Sequence, residues 1–185
     1  KTFPTLDCSA GILTPKMVDV DQHDNITLLT WSEVEKVDGY LGNFTVTVRK
    51  KARFVNEEHC TGCGICIEKC PFKEVDDVFE AGMGERKVIY RPFPQAVPKY
   101  PVIDKENCVY FKTGKCKACE KFCPTEPNSI EFDQVDEILS IDVGNIILAT
   151  GYDLFDSKKI PQYGYGKLDN VFTSLEFERM VNAAG

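Results

Sequence analysis

The sequence predicts an α+β protein in three parts: a cysteine-rich domain at 52–133, inserted between two stretches of α/β character at 1–51 and 134–185. Three observations predict it. Eight of the nine cysteines, and most of the ten prolines, fall within 53–132. The flanks lack such motifs but carry β-branched and aromatic runs of the strand type. The second flank ends on a helix-start signature, so each flank reads as a piece of one fold split by the insertion.

Composition narrows the function classes. The chain has 185 residues, 43% hydrophobic and 28% charged, which is ordinary for a globular protein. A net charge of −7 argues against nucleic acid as a partner, since that requires clustered Lys and Arg. No apolar run approaches the roughly 18–20 residues of a membrane span. There is no signal-peptide pattern, and the chain opens on Lys1-Thr2-Phe3-Pro4 without an initiator Met, as a piece of a longer protein would. An odd cysteine count with eight clustered is unlike a secreted disulfide framework, and a cytoplasmic location is expected.

In chain order, "ITLLT" (26–30) reads as a strand. Turn signals at Asp38-Gly39 and Leu41-Gly42-Asn43 then lead into a hairpin whose return strand is 44–49. The basic run "VRKKARF" (48–54) reads as a solvated strand end. Within the middle domain, the prolines of "RPFPQAVPKYP" (91–101) enforce an extended path, either a packed cover or a docking arm. Beyond it, "EILSIDV" (137–143) is a strand, and "NIILATG" (145–151) reads as a buried, parallel one. Thr173-x-x-Glu176 opens a C-terminal helix with a capping box.

The chemistry lies in the cysteines. Cys60-x2-Cys63-x2-Cys66-x3-Cys70-Pro71 is the run used for [4Fe–4S] clusters in bacterial ferredoxins, where the fourth cysteine serves the neighbouring cluster. Tight spacing curls the backbone round one cube, and Gly62 and Gly64 let amides approach its sulfides. A second run, Cys108-x7-Cys116-x2-Cys119-x3-Cys123-Pro124, also ends in Cys-Pro, with seven residues where two are usual. Crossed ligation then predicts one cluster on Cys60, Cys63, Cys66 and Cys123, and another on Cys108, Cys116, Cys119 and Cys70. Cys108 is expected to return its sulfur from a bulged loop. Zinc is the rival occupant, but it prefers separated cysteine pairs or Cys/His sets. A C-x-x-C thiol site would leave six cysteines unused. Cys8 stands apart, either a small buried hydrophobe or a group beside a redox cofactor. His23 and His59 read as surface or boundary residues.

Together "TFPTLDCSAGILTPKMVDV", the two Cys-Pro runs, "YRPFPQAVPKYPVID", "VGNIILATGYDLFD" and "YGYGKLDNVFTSLEFERMVNAAG" resemble the A subunit of heterodisulfide reductase, an iron–sulfur flavoprotein of methanogens and related anaerobes. The resemblance covers essentially the whole chain. It implies a two-cluster ferredoxin-like domain inserted in a split, thioredoxin-reductase-like FAD domain. It also implies that Thr150 and Gly151 end an FAD-contacting strand, that Val34 lies on the strand passing the adenine, and that Thr5 approaches the flavin. The G-x-G-x-x-G loop for the FAD pyrophosphate is absent and is expected upstream of Lys1. The family often has a second cysteine where this chain has Gly11, which weakens any metal role for Cys8.

The function expected is electron transfer through two [4Fe–4S] clusters to or from FAD, within a CoB–CoM heterodisulfide reductase using flavin-based bifurcation. Implied partners are the B and C subunits, a hydrogenase or formate dehydrogenase donor subunit, ferredoxin, and a second copy within a dimeric complex. No residue of the chain reads as an acid/base catalyst. The alternative is a ferredoxin-type carrier or docking module with structural flanks.

Overall fold

The first flank folds back on itself because "SEVEKVDGY" and "NFTVTVRK" are separated by a two-residue turn. In the computed structural model, which describes residues 10–181, β1 (Ser32–Tyr40) and β2 (Asn43–Lys50) pair antiparallel around Leu41-Gly42. The expected return strand is therefore present. Asp38-Gly39, read as a turn, lies inside β1 instead. Gly39 is needed there: its φ is +101°, and a Cβ would stand 2.1 Å from the Asn43 carbonyl oxygen. "ITLLT" forms no strand. Its β-branched content gives propensity without a ladder partner, since the charged segment after it takes the edge of β2. Before the hairpin, α1 (Ala10–Asp21) is a helix not expected from the sequence, because Pro15 lies within it.

The third strand comes from the far side of the insertion. β7 (Glu137–Val143) pairs with β2 in continuous register from Phe44↔Val143 to Lys50↔Glu137, giving the sheet order β1-β2-β7. The two flanks thus share one sheet. Its registered apolar rows run Val34, Val48, Leu139 and Val37, Val46, Ile141.

Between β2 and β7 the cysteine-rich body is built from short pieces: α2 (Ile65–Lys69), β3 (Val75–Asp76) with β4 (Glu85–Arg86), β5 (Ile89–Tyr90) with β6 (Val102–Ile103), α3 (Val109–Thr113) and α4 (Ala118–Lys121). The chain just before the first cysteine run pairs with the chain just after the second. Val55 bridges Ile130, with Asn56 N donating to Ser129 O at 2.7 Å and Glu131 N to Phe54 O at 3.1 Å. That closure brings the ends of the two runs together. Phe54, Val55, Val88, Ile89, Ile103 and Ile130 form the buried core, and Cys66 and Cys108 belong to it. The basic run is less solvated than its composition suggests. Arg53 is 5% exposed and ion-paired to Glu57 at 2.6 Å, while Lys51 pairs with Glu33 at 2.6 Å.

After β7 the expectation of a buried parallel strand fails. "NIILATG" has no regular structure, and Ile147 and Leu148 are 92% and 83% exposed. An apolar run becomes a buried strand only where neighbouring strands offer a ladder, and among the described residues none flanks this one. The capped helix does form as expected. α5 (Ser174–Met180) has Thr173 Oγ1 accepting from Glu176 N, and the Glu176 carboxylate accepting from Thr173 N at 2.6 Å. Its buried Arg179 makes two hydrogen bonds to Glu80, at 2.6 and 3.1 Å, in the loop between β3 and β4. Among the described residues, no helix is long and apolar enough to cross a membrane.

Candidate iron–sulfur site

The first cysteine run is one tight loop into α2. Gly62 and Gly64, at φ +66° and +84°, turn the chain between successive cysteines, and Cys66 enters the first turn of the helix, 8% exposed. Gly62 N donates to Cys60 Sγ at 3.4 Å, an amide dipole directed at sulfur as the small residues led one to expect. Cys123 arrives from the opposite direction, one residue beyond the α4 cap at Phe122. One cavity, open on the side of the exposed Cys63, is lined by Cys60, Cys63, Cys66 and Cys123 together with Val55, Pro101 and Ile130. These are the four cysteines grouped by crossed ligation.

The protonation preferences follow from burial. Burial pushes the Cys66 thiol up to about 12, with the negative charge of Cys60 adding to it. Cys60 is also raised by burial, against the pull of the Gly62 amide. Burial pushes Cys123 up as well, but hydrogen bonds from Thr125 and Ser129 outweigh it and hold that thiol below the usual value. Thr125 Oγ1 lies 3.2 Å from Cys123 Sγ and 2.7 Å from Ser129 Oγ. The raised Cys60 and Cys66 thiols need cationic charge beside them to ionise, which a bound metal would supply.

The second set is partly assembled. Burial pushes Cys119 up to about 12, opposed by the Glu120 amide, and Cys108, Cys66 and Cys70 contribute to the rise. Cys119 thus feels the charge of Cys108 and Cys70, which crossed ligation groups with it, and of Cys66, which it does not. The seven-residue gap is no bulged loop. It folds as α3, ended by Gly114 at φ +72°, with Tyr110 stacked on Phe132 at 3.9 Å and Phe111 against Phe54 at 4.6 Å. This packing seats Cys108 in the core, 8% exposed. Cys116 is half-buried two residues before α4 and completes the set by its spacing alone. Among the described residues, no three His, Cys, Asp or Glu side chains stand close enough to hold a metal ion.

Several contributors were not legible in the sequence. Thr125 and Ser129 reach Cys123, and Arg91 reaches the first loop: its Nη2 donates to Gly62 O and its Nε to Lys99 O at 3.0 Å. The 91–101 segment, with Pro101 on the cavity wall, lies over the first loop as a cover. His23 is at the surface, its Nδ1 accepting from Asn25 N at 3.1 Å, and His59 is a boundary residue, as read. The residues matched to flavin contacts lie open. Val34 is 63% exposed on β1, and Thr150 and Gly151 are exposed in the irregular chain after β7. Thr5 and Cys8 lie outside the described residues.

A family model for the 4Fe-4S binding domain matches residues 53–73, the first cysteine run with its approach. Along its full length the chain is 52% identical to the A subunit of the H(2):CoB-CoM heterodisulfide,ferredoxin reductase of Methanothermobacter marburgensis, covering 27% of that protein. It is 55% identical to the first iron-sulfur A subunit of the CoB–CoM heterodisulfide reductase of Methanopyrus kandleri, again covering 27% of it. The chain is a homologue of the heterodisulfide reductase A subunit. With the A subunit of the ferredoxin:CoB-CoM heterodisulfide reductase of Methanosarcina mazei it shares 42% identity and covers 22% of that relative's length. The chain thus spans about a quarter of the relatives it matches. The second cysteine run lies within these full-length matches but outside the 4Fe-4S model match.

Proposed function

We propose that the chain conducts electrons through two [4Fe–4S] clusters to or from an FAD, as the inserted two-cluster domain and part of the flavin domain of a heterodisulfide reductase A subunit. The observation that carries this reading is the single cavity that collects Cys60, Cys63 and Cys66 from one run and Cys123 from the other. A cavity walled by four cysteines suits a polynuclear cluster better than one tetrahedral ion. The second Cys-Pro run, with Cys108 seated in the core, supports a second cluster on Cys108, Cys116, Cys119 and Cys70. When bound, each cluster supplies a one-electron couple. The chain's own residues hold the sulfurs, aim the Gly62 amide and the Thr125 hydroxyl at them, and cover the first loop against water.

In this reading 52–133 is the insert, and 1–51 and 134–185 are parts of one flavin domain. The sheet shared by β2 and β7 supports that division. The exposed Ile147 and Leu148, beside Thr150 and Gly151, fit a strand that is completed by more of the flavin domain than this chain contains. Thr150, Gly151, Val34 and Thr5 are the proposed flavin contacts. The protein is proposed to serve reduction of the CoB–CoM heterodisulfide coupled by bifurcation to ferredoxin, consistent with the substrates in its relatives' names. The B and C subunits, a hydrogenase or formate dehydrogenase donor subunit, and a second copy of the complex are the proposed partners, in the cytoplasm.

The test is the flavin content of the full-length protein purified without oxygen. Bound FAD alongside iron and sulfide supports the proposal. Iron and sulfide without flavin would favour a plain electron-carrying module.

A further inference from the structure

The cover over the first cysteine loop is fastened by one side chain. Arg91 stands at the start of the cover, and its guanidinium donates both to Lys99 O near the cover's far end and to Gly62 O in the loop between Cys60 and Cys63. The two glycines of that loop leave room for this seating. A Cβ on Gly64 would stand 3.1 Å from Arg91 Nη2, and one on Gly62 would stand 2.9 Å from Lys99 Cβ. Both acceptors are neutral carbonyls, and among the described residues no carboxylate is ion-paired to Arg91. The positive charge beside the loop is therefore not cancelled.

We propose that Arg91 is a positioning residue with two effects: its fork locks the cover onto the Cys60–Cys66 loop, and its uncancelled charge raises the reduction potential of the cluster held there. The inference rests on the reading that Cys60, Cys63, Cys66 and Cys123 hold a [4Fe–4S] cluster. An electron arriving on a cluster adds negative charge, and a fixed cation nearby stabilises the reduced form more than the oxidised one. Arginine is required for the first effect because two carbonyls from separate segments need a planar fork, whereas a lysine ammonium is a compact point charge on a flexible stem.

The experiment compares full-length wild type, Arg91→Gln and Arg91→Lys by EPR-monitored redox titration and by the rate of iron release to a chelator. In Arg91→Gln, one of the two cluster waves is expected to shift to lower potential while the other stays. In Arg91→Lys both waves keep their wild-type positions. Iron release is expected to be about tenfold faster in both variants, the loss of one charge-assisted hydrogen bond. Should Arg91→Gln lose one cluster outright, halving its iron, the locking role is met and the charge is tested on Arg91→Lys. Its wave for that cluster should fall as pH rises through about 10, the ordinary range of lysine, while the other stays. Wild-type potentials in Arg91→Gln, or an equal shift in Arg91→Lys, would overturn the role of charge. Unchanged release rates would overturn the lock. A wild type without two waves would instead mark the failure of the two-cluster reading itself.

Discussion

At the scale of single residues, the glycines of the first run have a double duty. Gly62 directs its amide at Cys60 Sγ and leaves space for Lys99, and it does so at φ +66°. Gly62→Ala adds about 1–2 kcal/mol of left-handed backbone strain to that steric conflict. The expected result is loss of the first cluster, with iron per chain falling by about half. Gly11→Ala, at a position open to solvent, is expected to keep full iron. The cysteines and the turn glycines were legible from sequence because cluster ligation imposes a local spacing. Arg91 and Ser129 were not, because a guanidinium reaching a carbonyl 29 residues earlier leaves no mark on local pattern. Thr125 is the exception that could have been suspected, standing next but one after Cys123 in the Cys-Pro-Thr sequence.

At the scale of elements, α5 shows how a local motif and a distant contact cooperate. Its capping box was legible because both partners lie within four residues, Thr173 and Glu176. Burial tends to raise the Glu176 carboxyl, but hydrogen bonds from Thr173 and Tyr165 outweigh it and hold the group below its ordinary value. A carboxyl depressed on folding contributes stability above its unfolded value of 4.5, and that contribution is lost as pH falls through the folded value. Acidification below about pH 4.5 should therefore loosen α5 before the cysteine-rich body, as read by amide exchange. Thr173→Ala should weaken the helix by about 1 kcal/mol at neutral pH. It should keep most of that pH dependence, since the backbone N–H of residue 173 and the Tyr165 hydroxyl still donate to Glu176, whereas Glu176→Gln should remove it. A Glu176→Gln protein with an unchanged acid profile would contradict this. The far partner, Glu80 of the β3–β4 loop, was not legible, since 99 residues separate it from Arg179. The "NIILATG" run errs in the opposite direction. Its apolar character was plain, but burial is a property of neighbours, and the pattern says nothing of which neighbours are present.

At the scale of the whole molecule, two closures organise the chain. The β2–β7 pairing returns the second flank to the first, and the Val55–Ile130 bridge returns the end of the second cysteine run to the start of the first. The second closure brings the two local motifs together, by setting Cys123 in the cavity of Cys60, Cys63 and Cys66. The proposed crossing takes its cue from the terminal Cys-Pro pairs. The compact α3 that seats Cys108 was not legible, because a seven-residue gap in a cysteine run looks like slack until Tyr110 and Phe111 are seen packing on Phe132 and Phe54. The central claim is that eight cysteines hold two cubes. The most direct test is iron and acid-labile sulfide per chain in protein purified without oxygen. About eight of each is the predicted result; about four of each, or zinc in place of iron, would contradict the account.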